Sequence, residues 1–280
     1  MRTFKIADTE IRIINIGDIV FTLKEQENVP ESEWRPKYSE LFERKLLFPS
    51  QSVLFSSPGS EKVLVDAGDY YWSFKDSTWI PPNYVPPPSL AAQLESNGVA
   101  PEEIKHVIIT HAHFDHYSGV TTKKKHNEYM PTFPEAKYYL GQADWKDPRT
   151  QKELQNPGSK DSLTLGVLDK QGMLELVHDK KTVTKNIEII PSPGESPGHQ
   201  IVKFLSSGGE ALYCLGDLFH HPVEIENISW MAPWDDPEIN IDSRRKLIEA
   251  ALKEDALLLA AHMDLGKLWK DGPKVRFVER

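Results

Sequence analysis

Cysteine is nearly absent from this 280-residue sequence, Cys214 being the only one. An internal disulfide is excluded, and a reducing compartment such as the cytoplasm is the expected home. Cys214 lies in the apolar run ALYCLGD and reads as a small core residue, not a nucleophile. Long apolar runs are missing as well. None approaches the length that crosses a bilayer, and the opening MRTFKIADTEIRIINIGD lacks the layout of a secretory leader, so no membrane partner is expected. Basic charge is in deficit, with 33 Lys and Arg against 42 Asp and Glu and a net charge of −9. Chains that bind nucleic-acid phosphates concentrate cations instead, so no nucleic-acid partner is expected. The one basic run, Lys123-Lys124-Lys125, reads as a solvated turn.

What is present is the pattern of a layered α/β protein. Short apolar runs bounded by turn residues recur: IRIINIG, SVLFSS, KVLVDAG, HVIIT, AKYYLG, NIEIIP, IVKFLSS, ALYCLGD and ALLLAAH. Several are apolar enough to be strands covered on both faces. Helical spacing appears in PSLAAQLESNG, with Ser89 as cap and Gly98 as stop, and in DSRRKLIEAALKED. In the latter, Leu247, Ile248, Ala251 and Leu252 form one stripe and Asp242 or Ser243 is the expected cap. A single domain over residues 1–280 is expected. Residues 69–88 and 121–136 read as irregular loops and candidate lids, and segment 21–50 as part of a lid or a homodimer contact.

The chemistry is concentrated in HAHFDHYSG, where His111, His113, Asp115 and His116 fall within six positions directly after the strand HVIIT. A loop can converge such side chains on one point, and imidazole nitrogen with carboxylate oxygen suits zinc and comparable divalent ions. Two further polar residues emerge from apolar strands, Asp217 after ALYCLG and His262 after ALLLAA. Each alone would be an ordinary turn residue; together with the cluster they suggest a metal site.

The segments LVDAG, THAHFDH, PGESPGH, GD and AAH, in this order from residue 64 to 262, resemble the metallo-β-lactamase-fold hydrolase superfamily. GDLFHHPVEI and PWDDPEINIDSRRKL are most similar to its lactonase and organophosphate hydrolase branch. The resemblance implies a four-layer αββα sandwich with two divalent metal ions at one edge, zinc by default. His111 and His113 would bind the first ion, Asp115, His116 and His262 the second, and Asp217 both.

One position departs from the family pattern. Relatives read PGHTPGH where this chain reads PGESPGH, so Glu195 replaces a histidine ligand while His199 is retained. In dinuclear relatives that ligand lies about twenty-two residues before the bridging aspartate; Glu195 lies twenty-two before Asp217 and His199 eighteen. The spacing favours Glu195 as ligand with His199 supporting it; His199 as substitute ligand, or a weakened site, are the other readings. A third carboxylate would raise the pKa of bound water and shift preference toward manganese or iron(II).

The implied reaction is attack of a bridging hydroxide on a small-molecule lactone or related ester, with Asp115 orienting it and shuttling its proton. Organophosphate hydrolysis is a side activity consistent with that branch. His220 stands where lactonase relatives carry a tyrosine that supports the substrate carbonyl, and Trp72, Trp79, Trp230 and Trp234 are candidate walls of an apolar pocket. The runner-up is a glyoxalase-II-like thioesterase. A reading of another class, a non-catalytic scaffold with a degraded site, rests on Glu195 alone.

Overall fold

The computed structural model describes residues 1–75, 77–125 and 128–280. All nine apolar runs are strands. In chain order the strands are β1 (Arg2–Ile6), β2 (Thr9–Phe21), β3 (Leu46–Ser56), β4 (Lys62–Val65), β5 (Ile104–Ile108), β6 (Thr121–Lys123), β7 (Tyr129–Pro131), β8 (Lys137–Gly141) and β9 (Leu174–Val177) in the first part of the chain. There follow β10 (Lys181–Thr184), β11 (Ile187–Pro191), β12 (Gln200–Leu205), β13 (Ala211–Cys214), β14 (Leu257–Leu259), β15 (Gly266–Asp271) and β16 (Lys274–Glu279). The runs fall on β2, β3, β4, β5 and β8 in the first part and on β11, β12, β13 and β14 beyond it. One sheet has the order β1-β2-β3-β4-β5-β8-β9, the other β10-β11-β12-β13-β14-β15-β16, and β6 pairs only with β7.

The period of two along each strand explains the layers. Val53, Phe55, Val63, Val65 and Ile108 of the first sheet face Val202, Phe204, Leu212, Cys214 and Leu259 of the second, with Phe55 and Phe204 stacked 5.3 Å apart between them. The alternate residues Leu54, Leu64, Val107, Tyr138 and Leu140 turn outward onto the helix Leu90–Ser96 and the helix Leu165–Lys170. On the other side Tyr213, Leu215, Leu258 and Ala260 pack under the helix Pro237–Glu254. The result is an αββα sandwich in which both faces of the central strands are covered. Cys214 is buried between the sheets, and burial holds its thiol far above the ordinary range.

Ser89 caps its helix as expected, accepting from the Ala92 amide, and Gly98 follows at φ +75°. The long helix differs from expectation. It begins at Pro237 and is capped by Asp236, not by Asp242 or Ser243. Proline at the first helical position loses no hydrogen bond, and the Asp236 carboxylate takes the free Ile239 amide, so the cap lies six or seven residues earlier than expected. Two loop expectations also need correction. Tyr70–Phe74 is a short helix capped by Asp69, and residues 121–136 contain the β6–β7 pair. Asp76, His126 and Asn127, within those two segments, lie outside the described residues. Segment 21–50 folds onto its own chain: Leu23, Trp34, Phe42 and Phe48 join Phe21, Tyr70, Phe74 and Trp230 in one apolar cluster. Among the described residues no helix is long and apolar enough to cross a membrane.

Candidate metal centre

Parallel pairing brings the chemistry to one edge. β4 runs parallel to β5, and β13 parallel to β14, so the residues leaving these strands gather at the same end of the sandwich. β5 delivers His111, His113, Asp115 and His116; β13 delivers Asp217; β14 delivers His262; the loop between β11 and β12 delivers Glu195. Two turns depend on glycine. Gly216 has φ +55°, and a Cβ there would lie 2.7 Å from His199 Nε2. A Cβ on Gly68 would lie 2.0 Å from the Asp115 carbonyl, so the loop carrying Asp115 can close down only over glycine.

The side chains form two touching groups, His111, His113, Glu195 and Asp217, and Asp115, His116 and His262. Asp217 Oδ2 stands between them, 3.8 Å from His111 Nε2, 3.2 Å from His116 Nε2 and 3.4 Å from His262 Nε2. Glu195 Oε2 is 3.3 Å from His111 Nε2, and Asp115 Oδ2 is 3.5 Å from both His116 Nε2 and His262 Nε2. Donor atoms sharing a tetrahedral zinc at about 2.0–2.1 Å lie roughly 3.3 Å apart. Yet His111 Nε2, His116 Nε2, Glu195 Oε2 and Asp217 Oδ1 are buried without a hydrogen-bond partner. Orphaned buried donors and acceptors are costly, and four aimed at one another suit a cation between them. The donor set therefore fits divalent metal.

The opposite ring nitrogens are occupied. His116 Nδ1 meets Asp66 Oδ2 at 2.9 Å, His262 Nδ1 meets the Pro49 carbonyl at 2.8 Å, and His111 Nδ1 meets Thr110 Oγ1 at 3.1 Å. A histidine fixed in this way turns its free nitrogen, as a lone pair, toward an ion. Asp66 does double duty by also accepting from the Thr110 amide and hydroxyl. It lies in the motif LVDAG, where sequence reading took it for part of a strand end and missed its role. Asp144 was missed entirely. Its carboxylate accepts from the amides of Ala112 and Gly198 and the hydroxyl of Ser196, tying the histidine loop to the loop of Glu195.

His199 has no nitrogen left to give. Its Nδ1 lies 3.0 Å from the Ser192 carbonyl, and its Nε2 accepts from the Asp217 amide at 3.2 Å. Glu195, by contrast, turns its carboxylate toward the cluster, with Oε2 3.3 Å from His111 Nε2 and Oε1 2.8 Å from His113 Nδ1. Charge organises the group. Burial pushes His113 down, but the Glu195 carboxylate outweighs it and lifts the imidazole to about 9; burial likewise lowers His262, and Asp217 with Asp115 raises it to about 10. Burial raises Asp115, and His116 and His262 overcome this to hold it at about 2. A cation entering the group thus takes the place of protons on His113 and His262 while Asp115 stays ionised.

Above the cluster is a cavity of roughly 370 Å³, walled by Ile19, Phe21, Phe74, Trp79, Phe114 and Trp234, with Asp115, Asp217, His220 and His262 at its floor. Of the four candidate tryptophans only Trp79 and Trp234 line it. Trp230 is buried against Phe42 and Tyr38, and Trp72 stacks on Tyr129. Phe21 and Gln26 bring segment 21–50 to the cavity, and Phe74 and Trp79 bring 69–88; no described residue of 121–136 reaches it. His220 is buried, with Nε2 3.3 Å from Asp217 Oδ2. Its loop is held by Glu224, which accepts from the His220 and His221 amides and pairs at 2.7 Å with the fully buried Arg244. Removing one partner of such a pair costs about 3–5 kcal/mol.

The profile of the metallo-beta-lactamase superfamily matches residues 47–262. Among solved structures, the hydrolase AbOPH of the beta lactamase superfamily is similar at TM-score 0.79 and 19% identity, over 99% of this chain and 96% of that one. AidC, a dizinc quorum-quenching lactonase solved with N-hexanoyl-L-homoserine as product, is similar at TM-score 0.78 and 20% identity, over 100% and 97%. A probable metal-dependent hydrolase from Staphylococcus aureus is similar at TM-score 0.73 and 23% identity, over 99% of both chains.

Proposed function

This chain belongs to the metallo-beta-lactamase superfamily, and from that premise we propose that it is a metal-dependent hydrolase of a small lactone or related carboxylic ester. The observation that carries this reading is the set of buried, partnerless nitrogens and oxygens converging beneath an apolar cavity. His111, His113 and Glu195 would hold one divalent ion and Asp115, His116 and His262 another, with Asp217 between them. Zinc is the first expectation, manganese or iron(II) the oxygen-tolerant alternatives; such ions acidify water and polarise a carbonyl.

The chain's own residues do the rest. The aromatic walls take the apolar part of the substrate and exclude water. Asp115 lines the cavity as an ionised carboxylate, placed to orient the attacking water, receive its proton and pass it to the leaving alkoxide. Addition of water across the acyl carbon–oxygen bond yields an acid and an alcohol, joined in one molecule when the substrate is a lactone. His220, at the cavity floor, is placed to donate to the substrate carbonyl oxygen as charge develops there. His220→Phe is therefore expected to lower kcat about 100-fold with two metals retained. Steady-state kinetics with metal analysis checks it, and loss of a metal would make His220 a ligand instead.

Among the described residues lining the cavity Arg149 is the single Lys or Arg, which favours lactones over the glutathione thioesters of a glyoxalase-II-like enzyme. The scaffold reading is disfavoured because a decayed site would have no reason to keep partnerless polar atoms buried. The test is hydrolysis of a panel of lactones, aryl esters, a glutathione thioester and a phosphotriester. Activity is expected on lactones and esters, abolished by chelation and restored by zinc or manganese. Activity that survives complete metal removal would sink the proposal.

A further inference from the structure

Glu195 differs from the other ligand candidates in having an aromatic donor behind it. The Trp234 indole Nε1 donates to Glu195 Oε1 at 3.1 Å, while Glu195 Oε2 has no partner and faces His111. The two residues are brought into register by backbone contacts between their segments. The Asp236 amide donates to the Gly194 carbonyl at 2.7 Å, and Ser243 Oγ donates to the Pro193 carbonyl at 2.6 Å. Gly194, at φ +134°, presses so closely on Asn240 that a Cβ would lie 2.3 Å from its Cα. Trp234 is 42% exposed, so core packing alone does not account for its placement.

We propose that Trp234 is a positioning residue that allows a carboxylate to serve at residue 195, its indole N–H restraining Oε1 so that Oε2 alone is presented to the metal. This rests on the reading of Glu195 as a ligand and adds what makes it workable. A carboxylate can offer an ion one oxygen or two; an imidazole offers one nitrogen. A carboxylate that replaces a histidine without altering the coordination must have its second oxygen engaged elsewhere. His113 Nδ1 also approaches Oε1, but a ligating His113 would turn a lone pair to the metal and leave Trp234 as the remaining donor. The indole N–H can only donate. A ligating histidine also has only an N–H on its far side, so Trp234 could make no such bond to histidine at this position. The pairing is specific to a carboxylate.

The test is a cycle of four proteins, wild type, Trp234→Phe, Glu195→His and the double variant, titrated with zinc(II) and separately manganese(II) against a chelating indicator. Phenylalanine keeps an aromatic ring and removes only the donor; unfolding temperatures of the metal-free proteins show whether the fold is intact. Loss of an outer hydrogen bond to a ligand costs about 10- to 100-fold in metal affinity. That loss is expected for Trp234→Phe in the Glu195 background and less than about twofold in the Glu195→His background. Equal loss in both backgrounds, or none in either, would overturn the inference while leaving the metal centre standing. A wild-type chain that takes up no metal would overturn both. The indole N–H resonance of Trp234, assigned by its disappearance in Trp234→Phe, is a second readout independent of affinity. It should move upfield in metal-free Glu195→Ala and stay put in His199→Ala; the reverse would overturn the inference.

Discussion

Asp217→Ala is expected to strip the chain of both metals and to lower ester hydrolysis by about 10³- to 10⁴-fold, to the limit of detection. Asp217 Oδ2 is within 3.2–3.8 Å of His111, His116 and His262, and its other oxygen is buried and partnerless. Among the described residues no other carboxylate reaches both groups so closely. Its removal leaves four histidines converging on one another with a third of the compensating carboxylate charge gone, so cations held in the group meet less neutralising charge and lose the ligand shared between them. The check is elemental analysis of protein purified without chelator, beside initial rates on the best ester. An alanine variant that keeps two metals per chain would mean that Asp217 organises the histidines without binding.

Glu195→Ala is expected to reduce the metal content from near two per chain to near one, with activity falling at least 10- to 100-fold. His199→Ala should keep two at saturating metal and bind them more weakly, since it loses only the contacts to the Ser192 carbonyl and the Asp217 amide. The contrast tests the departure in PGESPGH directly. If His199→Ala loses a metal while Glu195→Ala keeps both, the assignment is reversed. Glu195→His should keep two, because the position and reach are those of the family's histidine.

Much of the architecture was legible in the chain. Strands buried on both faces need apolar residues at every position, so runs such as KVLVDAG and ALYCLGD announced themselves by hydrophobicity alone. HAHFDH was equally plain, because three imidazoles and a carboxylate in six positions have few other uses. Local punctuation was less reliable. Asp242 and Ser243 are good cap types, but Asp236 followed by Pro237 ends the preceding loop first, and nothing in the stripe Leu247, Ile248, Ala251, Leu252 signals where the first turn begins. The helix Tyr70–Phe74 was hidden among prolines and aromatics because its stability comes from packing on Trp230 and Phe21, a contact across the whole chain.

The sequence by itself determined the layered fold, the donor types and the order in which they arrive, since periodicity and side-chain chemistry are local properties of the chain. Tertiary structure alone decided which nitrogen of each histidine is free, because the partner that takes the other one comes from elsewhere: Asp66 for His116 and Pro49 for His262. It also decided that His199 is saturated and that Trp234, thirty-nine residues away, stands behind Glu195. Such pairings depend on where two loops meet in space, and no spacing along the chain encodes that meeting.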